Sequence, residues 1–318
     1  MMIIDTLSII GMCGVKKISR KNIKILVLGA NGMLGSMVYF YFKNYSNYNV
    51  SGTYNKNKIH SKLKKFNAIS FIEGKKNHLK IVKNYDYVIN CVGLIKPDTI
   101  NNTKKAILIN SLFPHYLAKK VSRDTKIIQI NTDCVYSGIQ NQSYNENSLH
   151  DALDVYGKTK SLGEVLEKNV INIRTSIIGP EPTKFHKSLF EWFKNEKGKI
   201  NGFVNHTWNG VSTYSFSRIV EFIIKKNFFH INQFNISFVK RVNKFTLLEK
   251  LNKSLLNNTK KIYKHNSTLK INRSLTSNHK ELNKIISKAL YGKNEIDIIE
   301  MLKEWHNIEA IYYKFYNK

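Results

Sequence analysis

Short apolar runs alternate with helix-length segments along the chain up to about residue 180. Apolar runs that are bounded by turn residues and separated by helices are typical of a parallel sheet covered on both faces. The predicted strands are residues 23–28, 48–54, 68–72, 86–92, 126–131 and 170–175. The predicted helices between them are residues 32–44, 76–84, 101–122 and 152–169. The pattern therefore predicts an α/β fold with a doubly wound parallel sheet.

A glycine-rich turn directly follows the first predicted strand. Residues 29–35 read Gly-Ala-Asn-Gly-Met-Leu-Gly, and residues 23–28 before them read Ile-Lys-Ile-Leu-Val-Leu. Such a turn between a buried strand and a helix brings backbone N–H groups and the positive end of the helix dipole against a pyrophosphate. The glycine spacing alone is a weak signal, but with the strand before it the turn predicts a dinucleotide site.

The second half of the chain is less regular and indicates a second unit. Further helices are predicted at about residues 186–195, 214–227, 244–256, 279–290 and 295–306. We expect a Rossmann domain for NAD(P) from residues 23–175 and about 212–240, and a smaller C-terminal substrate-binding domain from residues 176–211 and 241–318. Residues 1–22 are expected to be an N-terminal extension outside the chemistry. Their apolar patch is interrupted by Asp5 and follows no basic segment, unlike a signal peptide.

Composition and charge narrow the class of protein. The chain has 318 residues, of which 42% are hydrophobic and 12% aromatic, enough for a globular core. Its formal net charge of +29 would favour a polyanion partner, but the lysines are spread along the chain without a basic tail or a nucleic-acid-binding motif. No apolar run approaches the length of a membrane span. We therefore expect neither a nucleic-acid nor a membrane partner.

The cysteines carry no metal or disulfide signature. Cys13, Cys91 and Cys134 are odd in number and lack the spacing of a disulfide scaffold or a zinc site. We expect Cys91 and Cys134 to be small buried residues, no bound metal, and a reducing, cytoplasmic location.

Tyr156 and Lys160 lie four residues apart, and so on one face of a predicted helix. An ammonium group placed there can lower the pKa of the phenol and hold a nicotinamide ribose. The spacing itself is not specific, because it also occurs at Tyr39, Tyr54 and Tyr116. Position singles out Tyr156, whose helix follows the fifth predicted strand and its terminal Thr132. The carboxyl ends of parallel strands face the cofactor crevice, so Thr132 and Tyr156 are expected to meet there.

In order and spacing, these stretches resemble the extended short-chain dehydrogenase/reductases, and among them the dTDP-4-dehydrorhamnose reductase family of sugar-nucleotide reductases. The stretches that carry the resemblance are residues 25–35, 87–93, 110–114, 131–138, 156–164 and 173–179. Thinner matches follow at residues 208–213 and 272–275.

The resemblance implies a role for each matching residue. Thr132 would bind the substrate oxygen, Tyr156 would donate a proton, and Lys160 would orient the cofactor ribose and tune Tyr156. The other implied cofactor-binding residues are Gly29, Asn31, Gly32, Met33, Leu34, Gly35, Tyr54, Lys56, Asn90, Val92 and Gly93. The implied substrate-binding residues are Asp133, Arg174, Trp208, Asn209 and Arg273. For Arg174 an ion pair at the strand end is an equal alternative, and His186 and His206 are expected to be bystanders.

The end of the second strand favours NADPH over NADH, although NADH is also allowed. No Asp or Glu stands there to bind a free 2′-hydroxyl, whereas Lys56 and Lys58 can pair with a 2′-phosphate. The expected function is NADPH-dependent reduction of the 4-keto group of a nucleotide-linked 4-keto-6-deoxy sugar, foremost dTDP-4-dehydro-L-rhamnose to dTDP-L-rhamnose for polysaccharide biosynthesis. The nucleotide-diphosphate sugar is the expected partner, and a homodimer is one assembly to consider.

Two alternatives stay open. One is an NAD-dependent epimerase or dehydratase acting on a sugar nucleotide, against which stands the single Asp133 followed by Cys134, where dehydratases commonly carry an acidic pair. The other is a non-catalytic, NADP-binding regulatory subunit. The intact set of Thr132, Tyr156 and Lys160 argues against that second alternative.

Overall fold

A computed structural model describes residues 23–182 and 188–316, and the account below concerns these residues. The predicted extension at residues 1–22 and the predicted bystander His186 lie outside them. The strands are β1 (Lys24–Leu28), β2 (Asn49–Tyr54), β3 (Lys64–Lys65), β4 (Tyr87–Asn90), β5 (Lys126–Asn131), β6 (Val170–Arg174), β7 (Ser176–Ile178), β8 (Ile200–Phe203), β9 (His206–Trp208), β10 (Gly210–Ser212), β11 (Gln233–Asn235), β12 (Val242–Asn243), β13 (Ile262–His265) and β14 (Ile271–Asn272).

Helices connect these strands. They are α1 (Met33–Tyr45), α2 (Ala68–Ile72), α3 (Lys76–Ile81), α4 (Lys96–Thr99), α5 (Thr103–Ala106), α6 (Phe113–Lys120), α7 (Val155–Ser161), α8 (Leu189–Asn195), α9 (Thr213–Lys226), α10 (Lys244–Leu255), α11 (Lys280–Tyr291), α12 (Ile298–His306) and α13 (Glu309–Tyr316). A π-helical segment, Ile107–Leu112, joins α5 to α6. None of the helices in the described residues is both long and apolar enough to cross a bilayer.

A seven-stranded sheet in the order β11-β6-β5-β4-β1-β2-β3 forms the centre of the fold, and its strand pairs are parallel. Strand β1 shows why both faces are covered, since its apolar residues divide between two cores. Ile25 and Val27 belong to one apolar cluster, whereas Leu26 and Leu28 belong to another on the opposite face. The predicted α/β fold with a doubly wound sheet is confirmed.

The predicted strand at residues 68–72 is wrong, because this segment is helix α2. The Asn67 side chain accepts a hydrogen bond of 2.9 Å from the Ser70 amide and caps the helix, while Phe71 is fully buried. The third strand is instead β3, a two-residue edge strand of exposed lysines. Lysines suit an edge because they oppose pairing with another chain.

The predicted helix at residues 152–169 is too long. Asp154 caps the observed α7 by accepting a hydrogen bond of 2.8 Å from the Gly157 amide, and the helix ends at Ser161. Just beyond it, a Cβ at Gly163 would lie 1.9 Å from the carbonyl oxygen of Asn110. The chain after α7 therefore passes directly over the π-helical segment. The predicted helix at residues 101–122 is likewise divided by that segment.

The chain returns to the central sheet late in the sequence, with helix α9 and strand β11. Helix α9 packs against α1, and β11 pairs with β6 and forms the edge of the sheet. Helices α10, α12 and α13 share one apolar cluster with a face of the central sheet. The division into two domains at the predicted boundaries stays a proposal, since the two units share this core.

Candidate active site

The glycine turn is shaped by close backbone contacts at two of its three glycines. Gly29 has a φ of +77°, and a Cβ there would lie 3.2 Å from the Cys91 backbone. A Cβ at Gly35 would lie 2.2 Å from the Gly29 carbonyl oxygen, whereas at Gly32 the nearest atom would be 3.6 Å away. Gly32 begins helix α1 without a side-chain cap. Met33 and Leu34 form the first turn, so uncapped amides open this helix, an arrangement that suits a phosphate.

The loop after β4 is fixed by two buried amides. The Asn90 amide donates a hydrogen bond of 2.7 Å to Gln129, and its oxygen accepts one of 3.1 Å from the Val92 amide. Asn90 is fully buried, so it shapes the turn from within. The Asn110 oxygen accepts a hydrogen bond of 2.8 Å from the Leu94 amide and lies beside Gly93. Val92 and Gly93 are thereby held beside the glycine turn; the sequence assigned no role to Asn110.

A cavity of about 350 Å³ opens next to the glycine turn. Its lining residues are Asn31, Asn55, Lys56, Leu94, Asp98, Asn102 and Lys105. The predicted residues Asn31 and Lys56 thus meet at one cavity. Tyr54 and Lys58 do not line it, and the Lys58 ammonium lies 6.0 Å from the centre of the Tyr54 ring. Lys105 comes from α5 and was missed, because nothing distinguishes it from the neighbouring lysines in sequence.

Thr132 and Tyr156 meet at the carboxyl end of β5. The Thr132 side chain accepts a hydrogen bond of 3.2 Å from the Cys134 amide and lies 3.1 Å from an Asp133 carboxylate oxygen. Burial raises the pKa of the Tyr156 phenol well above its usual value, and a hydrogen bond with Thr132 acts in the opposite direction. The structure therefore brings two of the predicted catalytic side chains close together, because the start of α7 packs on the segment that follows Thr132. In the protein alone the Tyr156 phenol is more firmly protonated than usual.

Lys160 lies on the same helix but makes a different contact. Its ammonium group donates a hydrogen bond of 2.7 Å to the Ile130 carbonyl, and only 8% of the residue is exposed. Burial lowers the pKa of Lys160 to about 8, against which the Glu164 charge acts. In the protein alone the Tyr156 pKa is raised, with burial as the largest cause, so the tuning of Tyr156 by Lys160 stays a prediction. Burial likewise raises the pKa of the Cys91 and Cys134 thiols to about 12.

Arg174 is an internal residue that binds other parts of the protein. It is 1% exposed, and two of its nitrogens each donate a hydrogen bond of 2.6 Å to the Glu164 carboxylate. A third nitrogen contacts the Tyr136 hydroxyl at 3.2 Å and the Glu146 carbonyl at 3.4 Å. The guanidinium is thus occupied, and the predicted substrate contact gives way to the alternative, an ion pair at the end of β6.

The predicted substrate residues of the C-terminal unit fall into two groups. Asn209 is structural, since its amide and oxygen bind the Leu275 carbonyl at 2.9 Å and the Leu275 amide at 2.7 Å. Trp208 is buried, and the Lys244 ammonium group lies over its ring. Arg273 donates hydrogen bonds of 2.9 and 3.0 Å to the carbonyls of residues 136 and 137, just beyond the segment that carries Thr132.

Lys244, the first residue of α10, was not predicted. Its ammonium group lies 4.4 Å from the centre of the Trp208 ring. Burial lowers the pKa of Lys244, the charge of Asp133 raises it, and that of Arg273 lowers it. Asp133, which is 3% exposed, contacts the Thr132 hydroxyl. A lysine at the start of a helix in a lysine-rich chain carries no sequence signal.

His206 makes no contact with the catalytic side chains. Its ring stacks on Phe203 with ring centres 4.5 Å apart, and one nitrogen lies 3.2 Å from the Leu269 carbonyl oxygen. Burial lowers the pKa of His206, and the Lys244 and Arg273 charges add to this effect. Among the described residues there is no group of three side chains suited to a metal ion.

The order of the parallel strands and the glycine turn after β1 define a Rossmann-type α/β protein. A family model described as the RmlD substrate binding domain matches residues 23–215, and the chain belongs to this family. The family resemblance inferred from the sequence is thereby confirmed.

Curated relatives match only part of the chain. It is 29% identical over 163 residues to "Methionine adenosyltransferase 2 subunit beta" of Bos taurus, covering 49% of this chain and 46% of that protein. It is 29% identical over 133 residues to "dTDP-4-dehydrorhamnose reductase" of Aggregatibacter actinomycetemcomitans, covering 36% of this chain and 45% of that protein. The chain thus spans less than half the length of these two relatives.

Solved structures match over most of the chain at low identity. A dTDP-4-dehydrorhamnose reductase of Clostridium acetobutylicum has a TM-score of 0.66 at 20% identity and covers 91% of this chain and 100% of its own. The dTDP-4-dehydrorhamnose reductase of Bacillus anthracis, in complex with NADP, has a TM-score of 0.65 at 18% identity. The match covers 82% of this chain and 93% of that protein. MoeE5 in complex with UDP-glucose and NAD has a TM-score of 0.68 at 16% identity. The match covers 90% of this chain and 99% of that protein. These structures share the fold of this protein.

Proposed function

We propose that this protein reduces the 4-keto group of a nucleotide-linked 4-keto-6-deoxy sugar, foremost dTDP-4-dehydro-L-rhamnose, with NADPH. The observation that carries the proposal is that Thr132 and Tyr156 come together at the carboxyl end of β5, where α7 packs on the segment that follows Thr132, with Lys160 on the same helix. Ligands of open α/β sheets bind at this edge. The relatives and structural neighbours named dTDP-4-dehydrorhamnose reductase support this substrate class.

The residues around the glycine turn fit a dinucleotide. The uncapped start of α1 and the backbone cradle at Gly29 and Gly35, which a Cβ would fill, suit a pyrophosphate. The cavity beside them carries Lys56 and Lys105 on its wall, and two ammonium groups suit a 2′-phosphate. This favours NADPH, and the NADP complex of the Bacillus anthracis neighbour agrees with it. Val92 and Gly93 would border the adenosine half, and Lys160 the nicotinamide ribose.

The catalytic side chains would donate a proton to the substrate carbonyl oxygen and stabilise the negative charge that develops on it. When bound, the cofactor supplies the hydride. The Tyr156 phenol is protonated at neutral pH, as its ordinary pKa of about 10 dictates and burial reinforces, so it carries a proton for the carbonyl oxygen. The Thr132 hydroxyl would hydrogen-bond the same oxygen as negative charge develops there. Asp133, Trp208 and Arg273 would contact the rest of the substrate.

The test is NADPH oxidation by the purified full chain with a panel of dTDP-, UDP- and GDP-linked 4-keto-6-deoxy sugars. We expect turnover with one of them and a loss of about 100-fold or more in Tyr156→Phe, because proton donation contributes about 10²–10⁴ in rate. Tyr116→Phe is the matched control, since Tyr116 also precedes a lysine by four residues but lies on α6. Unchanged turnover in Tyr156→Phe would overturn the assigned mechanism.

A non-catalytic regulatory subunit is the second candidate. It is favoured by the relatives named methionine adenosyltransferase 2 subunit beta, which match up to 54% of this chain. This candidate expects NADPH binding without turnover of any sugar in the panel, together with altered activity of a methionine adenosyltransferase on mixing. Interconversion of sugar nucleotides with no net NADPH oxidation would instead indicate an epimerase.

A further inference from the structure

Helix α13 binds the first turn of α1 through a single serine. Ser36 is fully buried, and its amide donates a hydrogen bond of 2.9 Å to the carbonyl of Gly32 in the glycine turn. The Tyr316 hydroxyl donates a hydrogen bond of 2.6 Å to the Ser36 carbonyl, and the Tyr312 hydroxyl lies 2.7 Å from the Ser36 hydroxyl. Two tyrosines of α13 therefore hold one residue that is itself bonded to the glycine turn.

The same helix also contacts the loop between β2 and β3. Residues 55–58 of this loop are exposed, whereas His60 is partly buried. The His60 ring stacks on Phe315 of α13, with ring centres 4.6 Å apart and ring planes within 15° of each other. Tyr39 of α1 packs beside both rings, at centre distances of 5.8 Å and 6.0 Å. This aromatic cluster therefore joins α13 and α1 to the loop that carries Lys56.

Two parts of the proposed dinucleotide site are thus attached to one helix. The start of α1 presents the uncapped amides that suit a pyrophosphate, and the loop after β2 carries Lys56 on the wall of the cavity beside the glycine turn. A site whose parts are already held in place loses less conformational entropy when its ligand binds. Phe315 and Tyr316 do not themselves line that cavity, so their effect on a cofactor must pass through the residues that they hold.

We propose that α13 is a brace for the cofactor site, in which Tyr316 and Phe315 are positioning residues for NADPH. Tyr316 fixes the start of α1 through Ser36, and Phe315 fixes the loop after β2 through His60. The helix thereby raises the affinity for the cofactor without touching it. This inference rests on the dinucleotide site of the proposed function and adds to that site two residues from far along the chain.

The experiment is fluorescence titration of the purified full chain with NADPH and with NADH. We expect Tyr316→Phe to weaken binding of both cofactors by about 3- to 10-fold, as for the loss of one hydrogen bond, because both carry the pyrophosphate. Phe315→Leu should weaken NADPH binding by about 3- to 10-fold and NADH binding less, because the loop that it loosens carries Lys56. Phe315→Tyr, which keeps the aromatic stack, should retain the affinity of the unmodified chain.

Tyr313→Phe is the matched control, because Tyr313 lies on the same helix but donates its hydrogen bond, of 3.3 Å, to Glu191 of α8. This variant should lose about as much thermal stability as Tyr316→Phe and bind both cofactors as the unmodified chain does. The proposal is overturned if Tyr316→Phe and Phe315→Leu bind NADPH like the unmodified chain. It is also overturned if Tyr313→Phe weakens NADPH binding equally, which would indicate a purely structural role for α13.

Because the titration needs no sugar, its outcome is separate from the proposed reaction. Weakened cofactor binding in the variants of a chain that reduces no sugar would support the brace and reject the reductase. Turnover of a sugar together with unchanged cofactor binding in the variants would reject the brace alone. If the unmodified chain bound neither NADPH nor NADH, both proposals would be rejected.

Discussion

The Lys160 ammonium group donates a hydrogen bond of 2.7 Å to the backbone carbonyl of Ile130. This contact anchors a buried lysine to the end of β5, beside the loop that follows β4. The lysine is therefore held at the sheet edge before any ligand arrives. A preformed position of this kind reduces the conformational cost of binding a ribose there.

The buried Lys160 should make stability depend on pH. Its pKa in the folded protein is about 8, compared with an ordinary value of 10.5. Between these two values the unfolded chain binds more protons than the folded chain, so the free energy of unfolding rises with pH in that window. We expect the stability of the unmodified protein relative to Lys160→Met to rise by about 1–3 kcal/mol from pH 7.5 to pH 10.5. Denaturant unfolding across this range measures it.

The control for Lys160→Met is Lys158→Met, because Lys158 is exposed on the same helix. Its stability relative to the unmodified protein should not change with pH. If the stability difference between the unmodified protein and Lys160→Met also stayed constant with pH, the Lys160 ammonium group would remain charged over the whole range.

Lys105 should contribute to cofactor preference as much as Lys56 does, since both line the same cavity. We expect Lys56→Met and Lys105→Met each to weaken NADPH binding by about 10-fold and to leave NADH binding unchanged, because only NADPH carries the 2′-phosphate. Fluorescence titration with the two cofactors gives the ratio of their Kd values. Lys104→Met is the control, as Lys104 is exposed and does not line the cavity. If the variants weakened NADPH and NADH binding equally, the two lysines would contact a part of the cofactor other than the 2′-phosphate.

Glu164→Gln should destabilise the fold strongly. The Glu164 and Arg174 side chains are 6% and 1% exposed, so this change leaves a buried guanidinium without its counter-charge. Loss of one partner from a buried pair costs about 3–5 kcal/mol. Thermal and urea unfolding should show this loss, whereas Glu167→Gln, at an exposed position nearby, should be neutral. If Glu164→Gln instead changed KM at unaltered stability, Arg174 would regain its predicted role as a substrate contact.

Two glycines of the same turn should respond differently to alanine. A Cβ at Gly35 would lie 2.2 Å from backbone, and at Gly32 the nearest atom would be 3.6 Å away. Gly35→Ala should cost about 1–3 kcal/mol of stability by forcing the turn and α1 apart. Gly32→Ala should keep the stability of the unmodified protein. It should bind NADPH more weakly, because its methyl group would face the pyrophosphate. Equal unfolding midpoints for the two variants would contradict this difference.

Local patterns were sufficient for the strands of the central sheet and for the glycine turn. Strands β1, β2, β4, β5 and β6 lie within one residue of their predicted bounds, except that β4 ends two residues early, because continuous apolar runs identify buried parallel strands. The candidate pair of Thr132 and Tyr156 could also be named from chain position. The end of β5 and the start of the next helix must meet at the same edge of such a sheet.

Only the tertiary structure decided the features that depend on contacts between distant segments. The apolar run at residues 68–72 forms a helix, and Arg174 pairs with the buried Glu164. Lys105 lines the cavity beside the glycine turn, and Lys244 packs on Trp208. A sequence pattern indicates which residues are apolar enough to be buried and which turns the backbone can make. It does not report which neighbour pairs with a charge, because that partner is supplied by packing over long separations.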